Sequence, residues 1–352
     1  MKSVYGRLSC LLATIAVAMS VALAPAALAH AQDNCFGLNA DDCALAKAGS
    51  SPDAYSKLTA FSMAYSSTVT GSGGGRGNGT FTVTGTGSYS TDKPFDITAA
   101  GTETPDQNTT LQQAMTIVSQ TNDKPARTTH YEVRIVGGML YFLTGIGKWY
   151  SAQLSTNGES NPLLGSIGDP NQYVKTLRQA FQILASEGIV KAERGPDITI
   201  DNQQIAAFVF HFDIVKALSA PDPSLMLKFI GSRVPGLTSS SPEKVKAQIP
   251  QLQALFKNTQ FTMTRYIGTS DKLPHGVAVD ITANIDPKDA APFMPTPDPA
   301  GTPPADSNQP LVYSSHFEFK ISGIGTKVEV QAPPDAKPLP VIPAAKTPTP
   351  AS

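Results

Sequence analysis

The chain has 352 residues, 27 Lys and Arg against 28 Asp and Glu, and a formal net charge of −1. That balance offers no electrostatic reason to expect nucleic acid or an anionic membrane surface as a partner. Charged residues make up only 16% of the chain, while its length allows one large domain or two small ones.

Residues 1–31 read as a signal peptide. Lys2 and Arg7 form a positive start, Cys10 to Ala24 is an apolar run short for a membrane span, and Ala27-Leu28-Ala29 or Ala29-His30-Ala31 offers a small-x-small cleavage site. A lipid anchor would need a cysteine directly after the apolar run. Cys10 lies at its beginning and Cys35 follows Gln32-Asp33-Asn34, so neither fits. The expectation is an exported, released protein (periplasmic, cell-wall or extracellular) with no transmembrane span in the mature chain. Cys35 and Cys43 then remain, and in an oxidising compartment they are expected to pair. Two thiols without further Cys partners make a poor metal site. Residues 32–55 read as a disulfide-clipped cap, with a short helix from Asp41 to Ala48 whose acids precede it and whose Lys47 closes it.

From Ser56 the chain becomes a succession of strands. Phe61, Met63, Tyr65 and Val69 alternate with small polar residues, and Phe81, Val83 and Tyr89 do the same. The glycine-rich run Gly71–Gly79 between them has no following helix, so it reads as a hairpin tip, not a phosphate cradle. Strands are expected at Phe95–Ala100, Leu111–Gln120 and Arg127–Val136, with a turn at Asn122–Pro125. Between Val133 and Ala152, Gly137-Gly138 and Gly145-Ile146-Gly147 separate three short β-type runs, the first being the end of Arg127–Val136 and the last holding Trp149.

Helices follow. Asp169-Pro170 with Gln172 forms a capping box before an apolar stripe that ends at Gly188. Ile198–Ile200 and Ile205–Phe212 read as a hairpin over Asp201–Gln204. A second helix starts at Asp222-Pro223 and carries Leu225 and Phe229 on its apolar side. A third starts at Ser241-Pro242 and carries Leu252 and Phe256, with Pro250 kinking or splitting it. Strands return at Phe261–Ile267, Val277–Ile285 and Val312–Ser322. Residues 287–310 read as a Pro-rich loop insertion, and 337–352 as a disordered Pro/Ala tail.

Two stretches carry a family resemblance. One is the run of strands and glycine turns ending in Lys148-Trp149-Tyr150. The other is the hairpin in which Phe261–Ile267 and Val277–Ile285 flank a turn containing Asp271 and Leu273-Pro274. Together with the strand Val312–Ser322 and the ending Lys327–Ala336, they resemble LolA/LppX/LprG-like carrier proteins over residues 56–336. The resemblance implies an α+β, mainly β fold: a strongly curved antiparallel half-barrel sheet with helices covering the concave face. It also implies binding of a lipid, an acyl chain or a lipid-modified protein. The chain departs from many lipoproteins of that class in lacking the lipidation cysteine, and in its Gly-rich tip and Pro-rich insertion.

No catalytic signature is present: there is no Gly-x-Ser-x-Gly elbow, His-Glu-x-x-His, Walker loop or calcium-loop spacing. His130, His211, His275 and His316 are scattered. His211 with Asp213 reads as a solvent-face pair opposite Phe208, Phe210 and Phe212; Asp286 and Asp289 read as loop acids. No catalytic residue, metal site or cofactor is expected. Strand parity places Phe61, Met63, Phe81, Val83, Phe208, Phe210, Phe261, Met263, Val277 and Val279 on one apolar face, with Leu225, Phe229, Leu252 and Phe256 facing them from helices. If the layers are held apart, these residues line a cleft for a hydrophobic ligand, and the protein is a carrier or sensor. If they meet completely, they form a solid core, and the protein is a structural secreted or cell-surface interaction module.

Overall fold

A computed structural model describes residues 35–73, 78–92, 108–121, 124–143, 147–153, 188–220, 247–293 and 309–338. The signal peptide, the strand expected at Phe95–Ala100, the helix from Asp169, the helix bearing Leu225 and Phe229, and most of the Pro-rich insertion and tail lie outside these residues.

The sheet is assembled from two meanders. The first comprises β1 (Ala60–Ser72), β2 (Gly79–Ser90), β3 (Thr110–Thr121), β4 (Arg127–Val136), β5 (Met139–Leu143) and β6 (Trp149–Gln153). The second comprises β7 (Val190–Arg194), β8 (Ile198–Ile200), β9 (Gln203–Phe212), β10 (Thr259–Gly268), β11 (Pro274–Ile285) and β12 (Leu311–Ser322). β1 pairs antiparallel with β12 from Ser62 opposite Ser322 to Ser72 opposite Val312, so the two meanders merge at the middle of one open, curved sheet. The order is β13-β6-β5-β4-β3-β2-β1-β12-β11-β10-β9-β7, with β8 also on β9. β13 is Lys337–Pro338, parallel to β6. The tail expected from residue 337 therefore starts with two residues inside the sheet.

Turn chemistry explains the tight hairpins. Asp201 and Asn202 between β8 and β9 have φ of 51° and 60°, and Gly137 and Gly138 between β4 and β5 have 57° and 74°. Two consecutive positive-φ residues match the right-handed twist of the flanking strands, and Gly, Asn and Asp tolerate them best.

Five α-helices are present among the described residues. α1 (Ala40–Ala48) is capped by Asn39, whose side chain accepts from the Asp42 N–H, with Asp41 and Asp42 in the first turn and Lys47 in the last. α2 (Pro52–Ser56) is capped by Ser51, with Pro52 in its first turn. α3 (Ile214–Leu218) is capped by Asp213, which accepts from the Lys216 N–H at 2.8 Å. That role replaces the pairing of Asp213 with His211, which instead meets Glu193 at 3.1 Å. α4 (Ile249–Phe256) has Pro250 in its first turn, where a proline without an N–H costs nothing. α5 (Pro287–Ala290), capped by Asp286, continues into a 3-10 turn, Ala291–Phe293. The Pro-rich insertion thus begins as helix, not loop.

The main core lies on the apolar face of β9–β12, where Leu218, Leu252, Leu255 and Phe256 of α3 and α4 pack with Phe208, Phe210, Met263 and Val279. A smaller cluster of Tyr55, Leu58 and Ile321 seats α2 on the same face.

Candidate functional site

Strand register, followed from one strand to the next, places the expected residues on one face. Phe210 lies opposite Met263, Met263 opposite Val279, Val279 opposite Phe317, Phe317 opposite Ser67, and Ser67 opposite Val83. The neighbouring row runs Phe212, Phe261, Ile281, Ser315, Val69 and Phe81, and another contains Phe208, Arg265 and Val277. Met63 and Phe61 follow on β1 with the same parity. All ten strand residues expected on the apolar face are there. Leu252 and Phe256 face them from α4. Leu225 and Phe229 lie outside the described residues.

The face is divided into two environments. Over β9–β12 it is sealed: Phe208, Met263, Val279 and Leu252 are 0% exposed, and Phe210, Phe261, Val277 and Phe256 are buried with them. Over the first meander the described residues are less deeply buried. Phe61, Met63 and Val83 are only half-buried, and Phe81 is 40% exposed. The same parity continues through Met115, Ile117, Val133 and Ile135 to Phe142 and Tyr150, also half-buried. Phe142 and Tyr150 stack with ring centroids 5.6 Å apart. This extension across β3–β6 went unread at the sequence level. Its signal was the alternation of Val133 and Ile135 with Glu132 and Arg134.

One member of the sealed half is charged. Arg265, 2% exposed, stands between Phe208 and Val277. Its Nη2 donates to the Tyr55 hydroxyl at 3.0 Å and its Nη1 to Ser50 Oγ, both from the cap. Burial pushes the Tyr55 phenol above its ordinary pKa, and the nearby Arg265 charge only partly offsets this, so the hydroxyl stays neutral. The alternation Phe261, Met263, Arg265 already put the arginine on the apolar side.

The cap itself is fastened. Cys35 and Cys43 are disulfide-bonded. Arg194 on the sheet bonds Asp42 of α1 at 2.7 Å and Asp197 at 2.6 Å, with its guanidinium 5.1 Å from the Phe208 ring centroid.

Among the described residues no group of three His, Cys, Asp or Glu side chains is placed to hold a metal. His316 pairs with Asp280 at 2.7 Å, and His275 with Asp271 at 3.0 Å. Ser315 points into the apolar face while its neighbour His316 meets Asp280 of the opposite parity, so alternation separates the two.

No protein-family model matches the chain, and neither does any curated protein. Among solved structures it is similar to LprF from Mycobacterium bovis, at 11% identity over 80% of this chain and 93% of that one, with a TM-score of 0.27. It is similar to the Mycobacterium tuberculosis lipoprotein LppX, at 12% identity over 82% and 97%, with a TM-score of 0.27. A LolA superfamily protein from Nitrosomonas europaea follows, at 8% identity over 81% and 93%, with a TM-score of 0.16. Likenesses this weak do not place the chain in a family, and its fold rests on its own strand register.

Proposed function

We propose that the protein is an exported, non-catalytic carrier that holds a hydrophobic ligand, an acyl chain, lipid or lipid-modified protein, against the open half of its apolar face. The observation that carries this reading is the change of environment along one continuous face. The rows that are sealed at Met263 and Val279 reach half-buried or exposed large side chains at Val83 and Phe81. A face built only as a core has no reason to continue with Met, Phe and Ile where it is left partly open to water; such patches mark binding sites. Each ligand methylene buried there contributes about 0.8 kcal/mol, so a long chain binds without a dense polar site. The Cys35–Cys43 disulfide supports an oxidising, extracytoplasmic location, in keeping with the signal-like residues 1–31.

The test is uptake of a fluorescent fatty-acyl probe by the exported protein, with native mass spectrometry for a co-purifying lipid. Met63→Glu and Met115→Glu put a charge on the open half and are expected to abolish uptake while leaving the thermal midpoint within a few degrees. If the folded wild-type protein takes up no probe and carries no lipid, the reading fails and a structural interaction module replaces it.

A further inference from the structure

We propose that Arg265, together with Tyr55 and Ser50, is the seat of an anionic head group, a carboxylate or a phosphate, on the amphiphile carried along the apolar face. This rests on the carrier reading and adds the class of ligand.

The first ground is an uncompensated charge. A guanidinium is a permanent cation, and burying one without a counter-ion is costly unless it is paired. Arg265 is 2% exposed, and both of its hydrogen bonds go to neutral hydroxyls. Among the described residues no Asp or Glu forms an ion pair with it. Arg194, two strands away in the same row and on the far side of Phe208, shows the contrast: it has two carboxylates within 2.7 Å. Among the described residues one guanidinium is thus met by carboxylates and the other only by hydroxyls, which suits the second to an anion from outside the chain.

The second ground is capacity and shape. A guanidinium has five N–H donors, and Ser50 and Tyr55 engage one nitrogen each. The remaining donors match a carboxylate or phosphate, which arginine binds as a planar fork.

The third ground is the path leading away from it. Directly across the strands from Arg265 lie Val277, Phe319, Tyr65, Gly85, Met115 and Tyr131. Exposure rises along this row from Arg265 to Tyr131, which is 37% exposed. Six strand intervals give roughly 29 Å, about the thickness of a bilayer's hydrocarbon and ample for one acyl tail. Tyr65 lies over Gly85, where an added Cβ would collide with the end of its ring. The glycine thereby keeps the middle of the row flat. The row is therefore apolar and open at one end and cationic and closed at the other, the polarity of a single-tailed acid.

The experiment is displacement of a bound fluorescent acyl probe from the full exported protein at pH 8 by palmitate, hexadecyl phosphate and hexadecanol, with acetate and inorganic phosphate as tail-less anions. Palmitate and hexadecyl phosphate are expected to compete about tenfold or more better than hexadecanol. The tail-less anions are expected not to compete. In Arg265→Gln the preference should fall to within about twofold, with hexadecanol unchanged, which a purely structural role for the arginine would not produce. Should that variant not fold, Arg265→Lys keeps the charge without the fork and is expected to lose part of the preference. Equal competition by acid and alcohol in the wild type overturns the head-group assignment and leaves the carrier reading standing. So does a preference that persists unchanged in the variant that folds. Acetate or phosphate raising the wild-type thermal midpoint without any preference among the amphiphiles makes the position a free-anion site and overturns the proposal. Binding of none of the three amphiphiles removes the carrier reading and this proposal together.

Discussion

Phe36 meets Phe210 edge-on, with ring centroids 5.9 Å apart and planes at 81°. The contact fastens the cap to the sealed half of the sheet, and the Phe36 carbonyl accepts the Ala192 N–H at 2.7 Å beside it. Phe36 holds φ at 53°, a conformation that a non-glycine residue adopts only when its surroundings enforce it. The Cys35–Cys43 bond, directly adjacent, provides part of that enforcement. Replacing both cysteines with serine is expected to lower unfolding free energy by about 2–3 kcal/mol, as loop-closure entropy predicts. Urea denaturation measures this. An unchanged midpoint, or a thiol that can be labelled in the unreduced wild type, counts against the bond.

The two halves of the apolar face should respond differently to truncation. Leu252 is fully buried, so Leu252→Ala leaves a cavity and is expected to cost about 2–5 kcal/mol. Phe81, 40% exposed, fills no closed space, and Phe81→Ala is expected to cost under about 1 kcal/mol. Chemical denaturation of the two variants side by side decides it, and equal losses would mean that the first meander is sealed in solution.

Alkaline stability should depend on Tyr266. Burial, and then the Glu318 charge and hydrogen bond beside it, push its phenol up to about 12 from an ordinary 10. The folded state therefore holds this proton more tightly than the unfolded state. The corresponding stability is complete below pH 10 and is lost as pH rises through 12. Tyr266→Phe is expected to flatten the decline of the urea midpoint between pH 10 and 12. Parallel curves for wild type and variant would show that the tyrosine contributes nothing there.

Gly85 is expected to resist any side chain. A Cβ at this position would run into the Tyr65 ring end and the Ala114 carbonyl oxygen, the second of which belongs to backbone and does not move aside. Gly85→Ala should cost about 1–3 kcal/mol by overpacking, and near-ultraviolet circular dichroism should change as Tyr65 is displaced. A variant as stable as wild type, with an unchanged tyrosine signal, would contradict this close approach.

Much of this architecture was legible because strand parity is a local property. The alternation in Phe61–Val69 and in Phe261–Ile267 assigns faces without knowledge of any partner. Hairpins at Gly137-Gly138 and Asp201-Asn202 followed from turn chemistry for the same reason. Local signals also misled. Asp213 reads as a solvent-face pair with His211, yet it precedes five helical residues and its side chain caps them by accepting the Lys216 N–H. Pro287 read as the start of a loop, although proline fits the first turn of a helix after an aspartate cap.

The sequence by itself determined which side chains share a face, where the reversals fall and which cysteines pair, since each depends on neighbours a few residues apart. Only the tertiary structure decided that β1 joins β12, that the face is sealed over β9–β12 and open over β3–β6, and that Arg265 is buried against Ser50 and Tyr55. The first and last of those outcomes depend on contacts between segments more than two hundred residues apart in the chain, and the sealing depends on helices packing across strands they are not paired with. Burial is a property of whatever element comes to lie on top, and parity cannot specify that.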